Sequence, residues 1–315
     1  MDASEFSAEA IPSELSGETI LITGGAGFIG SHIADAVAPD NTVRILDDFS
    51  TGSRENVPDD AEVVEGDVRD GEVLDEAMAG VDLVFHEAAV VSVQRSTEQP
   101  ALSHEVNVEA TIQLLERARE EDARVVAASS SAIYGEPESV PIPETAPKTP
   151  SSPYGLDKLS LDHYLRLYHD LYDLDTVALR YFNVYGPRQT AGDYSGVISI
   201  FRQQATDGEP LTVDGDGTQT RDFVHVSDVV QANLLAATTD RVGEAFNVGT
   251  GSSISIRELA ETIREVADSE SEIVHTDPRP GDVEESCPNV SKASDQLGYS
   301  PTTTLAAGLE SLFAE

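Results

Sequence analysis

Short apolar runs alternate along most of the chain with stretches in which apolar residues recur every three or four positions. The run Thr19–Thr23 (TILIT) is short and β-branched, which is typical of a buried strand. Further strands are predicted at Val43–Leu46, Glu62–Val64, Leu83–Phe85, Arg124–Ala128 and Thr176–Leu179. Helices are predicted from the segment GGAGFIG to about Val37, and at about Glu72–Met78, Leu102–Glu120, Pro153–Leu171, Val226–Ala237 and Ile256–Val266. This alternation predicts an α/β fold with a doubly wound parallel sheet.

Composition and charge narrow the classes of function. Asp and Glu number 58 against 19 Lys and Arg, a net charge of −39. Nucleic-acid binding is disfavoured, because phosphate backbones require clustered basic residues. The single cysteine, Cys287, excludes an intrachain disulfide and a thiolate metal cluster, and we expect no metal site. We expect no membrane partner, because no apolar run approaches about 18 residues, and a cytoplasmic location, because the acidic N-terminus lacks the features of a secretory signal.

The excess of acidic residues is spread along the chain and is typical of a halophilic surface rather than a docking site for one basic partner. At low salt these charges repel one another over longer distances. We therefore expect the melting temperature to fall as KCl is lowered from molar to millimolar concentrations. A melting temperature that stays flat over this range would contradict the halophilic interpretation.

A glycine-rich turn follows the first strand and opens the first helix. Gly24, Gly27 and Gly30 form G-x-x-G-x-x-G, in which Phe28 and Ile29 start the helix. Glycines allow a tight turn and a close approach of the backbone to a pyrophosphate, which binds at the helix N-terminus. This arrangement predicts a Rossmann-type dinucleotide site.

Polar and small residues at the ends of the next strands complete the predicted cofactor site. Asp47, with Asp48 as the neighbouring candidate, ends the second strand about 20 residues after the glycines, where a carboxylate accepts from both ribose hydroxyls and repels a 2′-phosphate. NAD is therefore favoured over NADP. Asp67 and Val68 follow the third strand, where a side-chain acceptor could meet the adenine amino group. Ala88 and Ala89 follow the fourth strand, where small residues allow contact with the cofactor.

Tyr154 and Lys158 are one helical turn apart on one predicted helix face. A lysine ammonium near a phenol favours the phenolate and would lower the pKa of Tyr154, which would then serve as a general base near neutral pH. Ser129, Ser130 and Ser131 end the fifth strand, at the carboxyl edge where such sheets bind ligands. Asn107, inside a predicted amphipathic helix, is either a solvent-facing or backbone-bonded residue or a bridge between sheet and site.

Ordered motifs from about Thr19 to Gly308 resemble the extended short-chain dehydrogenase/reductase superfamily, in particular its nucleotide-sugar epimerases and dehydratases. They are TGGAGFIGSHIADAV, LDDFSTG, GDVRD, NVEAT, SSSAIYG, SPYGLDK, RYFNVYGPRQ, GDGTQTRDFVHVSDVV, FNVGTG and RPGDVEESCPNVSKASDQLGY. They are most similar to UDP-glucose 4-epimerases. The resemblance implies that Tyr154 is the base, that Lys158 is its partner, and that Ser130 is the third catalytic residue, with Ser131 as the alternative register.

The residues after Ser130 distinguish between activities within the superfamily. Sugar dehydratases and decarboxylases place an acid there, whereas this chain has Ser131 and Ala132. The resemblance therefore implies 4-epimerisation of a UDP-hexose, either UDP-glucose/UDP-galactose alone or N-acetylated forms as well. The alternatives are a UDP-glucuronate 4-epimerase, another nucleotide-sugar oxidoreductase or dehydratase, and a non-catalytic NAD-binding sensor.

The resemblance also implies which residues contact the substrate. They are expected at Ser130, Ser131, Asn183, Arg188, Val197, Arg221, Arg279 and Asp282. Arg221 and Arg279 suit bidentate contacts with a diphosphate. Four residues after Asp282, where the bacterial-type epimerase has a tyrosine that narrows the sugar pocket, this chain has Ser286. This small residue predicts room for an N-acetyl group.

The chain is expected to divide into three parts. Residues 1–16 would be a flexible extension, 17–183 together with about 222–249 the NAD-binding Rossmann domain, and 184–221 with 250–315 a smaller nucleotide-sugar-binding region. The resemblance also implies a homodimer, formed through the helices predicted at Leu102–Glu120 and Pro153–Leu171.

Overall fold

The computed structural model describes residues 15–189, 196–279 and 281–314. Most of the N-terminal extension, residues 1–14, lies outside these ranges. Leu15 is buried in the core, and its carbonyl accepts from Asn41 Nδ2 at 3.3 Å. The folded part of the chain therefore begins no later than Leu15, within the segment expected to be flexible.

The strands follow the predicted positions as far as β6. They are β1 Thr19–Thr23, β2 Thr42–Asp47, β3 Glu62–Glu65, β4 Leu83–His86, β5 Arg124–Ser130, β6 Thr176–Tyr181, β7 Asn183–Tyr185, β8 Leu211–Asp214, β9 Thr220–Arg221, β10 Phe223–His225, β11 Glu244–Val248, β12 Ile254–Ser255, β13 Ile273–Thr276 and β14 Glu285–Ser286. Strands β7 to β14 were not predicted, because they are short or lie in the part where the alternation loosens.

The helices include all six predicted ones. They are α1 Phe28–Val37, α2 Gly71–Met78, α3 Val93–Glu98, α4 Pro100–His104, α5 Ala110–Glu121, α6 Pro153–Tyr172, α7 Val197–Asp207, α8 Val226–Thr238, α9 Ile256–Val266, α10 Ser291–Leu297 and α11 Leu305–Phe313. The helix expected at Leu102–Glu120 is composite, because a π-helical turn, Glu105–Glu109, joins α4 to α5.

A seven-stranded parallel sheet with the order β11-β6-β5-β4-β1-β2-β3 forms the centre of the molecule. On one face α1 and α8 pack over a core that includes Ile22, Phe85 and Phe246. On the other face α2, α5 and α6 pack over a core that includes Leu21 and Val125. Helices on both faces confirm the predicted doubly wound α/β fold.

A third core lies in the C-terminal part of the chain, where Phe201, Leu211, Leu259 and Leu309 pack together. This separate core supports the division into two regions, which remains a proposal. Helix α10 departs from the expected boundaries, because Ala293 packs with the core of the large sheet.

Helix α6 is positioned by its own start signal. Ser152 caps it by accepting from Gly155 N at 3.1 Å, and Pro153 occupies the first turn, where a missing N–H costs nothing. The helix packs on β5 and β6 through buried Leu161 and Leu165. Its first turns are therefore held at the carboxyl edge of the sheet.

Within the residues that the structure describes, no helix combines the length and apolar character needed to span a bilayer.

Candidate active site

The glycine turn between β1 and α1 is shaped by close backbone contacts. Gly24 adopts φ +69°, and a Cβ there would lie 2.9 Å from Ala88 N. A Cβ on Gly30 would overlap the carbonyl oxygen of Gly24. Gly27 caps α1 without a side chain, and the first turn carries no acidic residue. The N–H groups of this turn, which include those of Phe28 and Ile29, therefore face a site suited to an anion.

Asp47 lies against this turn at the end of β2. It is buried, and its carboxylate accepts from Ala26 N and from Phe49 N, both at 2.9 Å. Burial raises the pKa of Asp47, and the two backbone hydrogen bonds oppose this effect. Asp48 is exposed and instead accepts from Ser50 N at 2.9 Å. The structure thus brings Asp47, rather than Asp48, against the glycine turn.

The outer end of the predicted cofactor site is held by an ion pair. Arg69 binds Asp67 at 2.5 Å and Glu105 at 3.0 Å. The hydrogen bond from Arg69 lowers the pKa of Asp67. Both oxygens of Asp67, expected to meet an adenine amino group, therefore already face a guanidinium. Val68 beside it is buried.

The segment after β4 approaches the glycine turn from the other side. Ala88 N donates to Thr23 Oγ1 at 3.2 Å, and Ala89 is partly buried. Asn107, in the π-helical turn, is 1% exposed and clamps this segment, because its side chain accepts from Val90 N at 2.8 Å and donates to Val90 O at 3.0 Å. Asn107 is therefore not solvent-facing but backbone-bonded, and it joins the π-helical turn to the segment after β4.

Ser130, Tyr154 and Lys158 come together at the carboxyl edge of β5. The Tyr154 side chain is hydrogen-bonded to Ser130. Lys158 is 2% exposed, and its Nζ donates to Ala128 O at 2.7 Å. Ser129 instead points to Asp162 at 3.3 Å, and Ser131 begins a 3₁₀ turn, Ser131–Ile133. Of the three serines, the structure places Ser130 against the tyrosine.

The electrostatics of this group differ from the expectation. Burial raises the pKa of Tyr154, and the hydrogen bond with Ser130 opposes this only in part. Burial also lowers the pKa of Lys158. The prediction that Lys158 lowers the pKa of Tyr154 is therefore wrong for the protein alone, because the ammonium is directed at a backbone carbonyl and the phenol is desolvated.

The predicted substrate residues divide into two groups, of which the first lies around β9. Arg221 pairs with Asp282 at 2.5 Å, and Asp282 N donates to Arg279 O at 3.2 Å. The side chain of Arg279 is exposed. Ser286 on β14 lies opposite Arg221 in the ladder. Asn183 is nearby in the fold, since its Nδ2 donates at 2.7 Å to the carbonyl of Asp222, the residue after Arg221.

The second group is Arg188 and Val197, which flank residues 190–195, outside the described ranges. Arg188 has φ +64° and pairs with Asp35 on α1 at 2.7 Å. Its guanidinium is thus turned toward α1 and not toward the Arg221–Asp282 pair. Val197 begins α7 and is partly buried.

Glu87 is a site residue that sequence reasoning missed. It follows β4 directly and accepts from Tyr181 Oη at 2.8 Å, and its charge acts on both Tyr154 and Lys158. A charged residue between a buried strand and the pair Ala88–Ala89 was the available signal. Within the described residues, no group of three or more His, Cys, Asp or Glu side chains could hold a metal ion.

Comparison with known proteins agrees with this geometry. The family model described as "NAD dependent epimerase/dehydratase family" matches residues 20–249. The UDP-glucose 4-epimerase of Mycolicibacterium smegmatis is 39% identical over 298 residues, covering 92% of this chain and 95% of that protein.

Two solved structures superpose closely. The UDP-glucose 4-epimerase of Thermotoga maritima with UDP-glucose has a TM-score of 0.90 at 38% identity, covering 93% of this chain and 96% of that one. The enzyme of that name from Thermus thermophilus with NAD has a TM-score of 0.87 at 40% identity, with the same two coverages. The chain is therefore a member of the NAD dependent epimerase/dehydratase family, within the extended short-chain dehydrogenase/reductase superfamily.

Proposed function

We propose that the protein is an NAD-dependent 4-epimerase of a UDP-hexose, with UDP-glucose and UDP-galactose as the primary pair. The observation that carries this proposal is the assembled group of Ser130, Tyr154 and Lys158, together with the absence of an acid at Ser131 and Ala132. Such a group supports removal and return of a proton at one hydroxyl. Elimination of water would require an additional acid beside it.

The glycine turn and the strand ends fit NAD. Gly24, Gly27 and Gly30 leave room for a pyrophosphate at the N-terminus of α1. The small side chains of Ala88 and Ala89 leave space for the cofactor on the neighbouring side of the site. The carboxylate of Asp47 retains lone pairs for the ribose hydroxyls and would repel a 2′-phosphate. Asp67 and Val68 would border the adenine, with Asp67 shared between the base and Arg69.

The chain's own residues move the proton. Tyr154 accepts the proton of the sugar 4-hydroxyl, while Ser130 hydrogen-bonds the same oxygen and Lys158 supplies positive charge beside both. Bound NAD supplies a hydride acceptor and, for the return step, the donor, and its oxidised ring adds the positive potential that favours the phenolate. After the 4-keto sugar has rotated, the opposite face of C4 is presented for the return of the hydride, and Tyr154 returns the proton to the C4 oxygen.

Rotation of the sugar requires tight binding of the diphosphate and only weak contacts with the hexose. Arg221 and Arg279 would bind the diphosphate, in a chain with few basic residues. Arg221 pairs with Asp282 at 2.5 Å and would exchange this contact for the diphosphate on binding. Asn183 and Val197 would border the nucleotide, and Arg188 would act from the α1 side.

The decisive experiment is to incubate the purified protein with UDP-galactose and no added cofactor, in high salt. UDP-glucose should appear, because NAD is recycled within each turnover and should stay bound. Release of stoichiometric NADH, or turnover of UDP-glucuronate alone, would replace this proposal by one of the alternatives. A protein that contains NAD and turns over none of these sugars would be a sensor.

The sugar pocket should also accept N-acetylated substrates, because Ser286 is small and lies opposite the anchoring Arg221. Ser286→Tyr should lower kcat/KM for UDP-GlcNAc and UDP-GalNAc by about 100-fold and leave the non-acetylated pair nearly unchanged. Steady-state assays with both pairs on the same preparation provide the internal control. No turnover of the acetylated pair by the unmodified protein would refute the assignment.

We also propose a homodimer that buries the outer face of α6. Leu156, Leu167 and Leu171 are 56%, 45% and 61% exposed and form one apolar stripe along this helix, which lies beside α5. Light scattering in high salt should give twice the 33.6 kDa of one chain. Leu167→Glu with Leu171→Glu should give one chain, whereas Ile200→Glu on the exposed face of α7 should not. An unchanged mass for the double variant would place the interface elsewhere.

A further inference from the structure

Glu87 belongs to a hydrogen-bond chain whose direction is fixed. Asn233 on α8 is fully buried and uses both protons of its Nδ2, to Val229 O at 2.9 Å and to Tyr181 Oη at 2.7 Å. The hydroxyl of Tyr181 accepts from Asn233, and its proton is therefore free for Glu87 Oε1, at 2.8 Å. Burial raises the pKa of Glu87 to about 7, and the hydrogen bond from Tyr181 and the charge of Lys158 oppose this rise. The carboxylate is therefore mostly ionised above neutral pH.

The sheet register places this carboxylate at the catalytic group. His86 pairs with Ala127 between β4 and β5, so Glu87 lies beside Ala128 at the end of the ladder. The carbonyl of Ala128 accepts a hydrogen bond from Lys158 Nζ. Tyr181 in turn pairs with Ser130 between β5 and β6. Glu87 thus lies at the same edge of the sheet as Lys158 and the Ser130–Tyr154 pair, on the side of α8.

We propose that Glu87 is a positioning residue of the active site, which holds a negative charge beside Lys158 and Tyr154 and thereby sets the pH range in which they work. This inference rests on the proposed function for its kinetic readout. Tyr181 and Asn233 keep Glu87 in place, and nothing in the mechanism requires Glu87 to touch the sugar or NAD.

The charged and titratable groups around Glu87 give the direction of its effect. Lys158 and Tyr154 face it from α6, Tyr181 from β6, and His86, the last residue of β4, precedes it in the chain. Burial lowers the pKa of His86 to about 3, so this ring is uncharged at working pH. A negative Glu87 raises the pKa of Lys158 and raises the pKa of Tyr154. Its removal should lower both.

The test is the pH profile of kcat in Glu87→Gln, which keeps an acceptor for Tyr181 and removes the charge. The acid limb reports deprotonation of Tyr154, and the alkaline limb reports loss of the Lys158 proton. Both limbs should move to lower pH by about one unit. Glu144→Gln is the matched control, because Glu144 is also hydrogen-bonded, accepting from Asn247 N at 2.9 Å, and should leave both limbs in place.

Tyr181→Phe provides a second variant if Glu87→Gln does not fold. Without the donor, the pKa of Glu87 rises and its charge is lost near neutral pH, which should move the limbs in the same direction. A lower kcat with unmoved limbs in these variants would mean a structural role and would overturn the proposal.

A measurement without turnover separates this inference from the proposed function. The phenolate absorbance of the NAD-loaded protein, minus that of Tyr154→Phe, gives the pKa of Tyr154 directly, and this value should fall in Glu87→Gln. If the titration shifts but no UDP-hexose is turned over, the proposed function fails and the role of Glu87 stands. If the pKa is unchanged in an active enzyme, only the role of Glu87 fails.

Discussion

Replacing Tyr154 with phenylalanine should reduce kcat for UDP-galactose by about 10³-fold. The phenol is the group hydrogen-bonded to Ser130, and a positioned acid–base group contributes roughly 10²- to 10⁴-fold. The backbone N–H of Tyr154, which donates to Ser96 Oγ at 3.1 Å, is unaffected by the change, so the helix start should remain intact. Initial rates at saturating UDP-galactose give the loss of kcat.

Two controls separate lost chemistry from lost structure. The NAD content of Tyr154→Phe, measured after denaturing the protein, should match that of the unmodified protein. Tyr164→Phe, on the same helix and partly buried, should retain kcat. Full activity in Tyr154→Phe would remove the tyrosine from the role of base.

Replacing Gly30 with alanine should weaken the binding of NAD. Gly30 lies inside α1, where alanine is otherwise the best helix former, so the conformation itself is no obstacle. The obstacle is the carbonyl of Gly24, which the new methyl group would overlap. Displacing this carbonyl costs about 1–3 kcal/mol. Because Gly24 forms the cofactor turn, we expect about 10- to 100-fold weaker NAD binding.

The matched control is Gly71→Ala, at the start of α2. A Cβ there meets only the guanidinium of Arg117, at 3.3 Å, and no backbone atom within 4 Å, so NAD affinity and activity should be retained. Calorimetric titration of the NAD-free proteins with NAD measures the difference. Equal affinity in the Gly30 and Gly71 variants would show that the close packing of the turn is not what shapes the cofactor site.

The parts of the fold that were predictable are those set by local sequence. β1 and α9 coincide with their predictions because an apolar run or a sharp apolar periodicity defines each of them. The seventh strand of the sheet, Glu244–Val248, was not predicted, because a five-residue strand at the sheet edge needs the partner β6 to be recognised.

Site residues followed the same rule. Ser130, Tyr154 and Lys158 could be found from their spacing and their place after a strand. The raised pKa of Tyr154 could not, because it results from desolvation by residues distant in sequence. Nor could the orientation of Arg188, which depends on Asp35, more than 150 positions earlier in the chain.

The three-stranded arrangement around Arg221 limits how substrate choice can change. Arg221 lies on the middle strand, with Ile254 and Ser286 as its ladder partners on either side. A one-residue insertion or deletion before β14 would turn Ser286 to the other face of the ladder and disturb the anchor with it. Point substitution at position 286 alters the pocket and keeps the register. Evolution or laboratory selection for a new sugar should therefore proceed here by exchange of side chains, with loop length held constant.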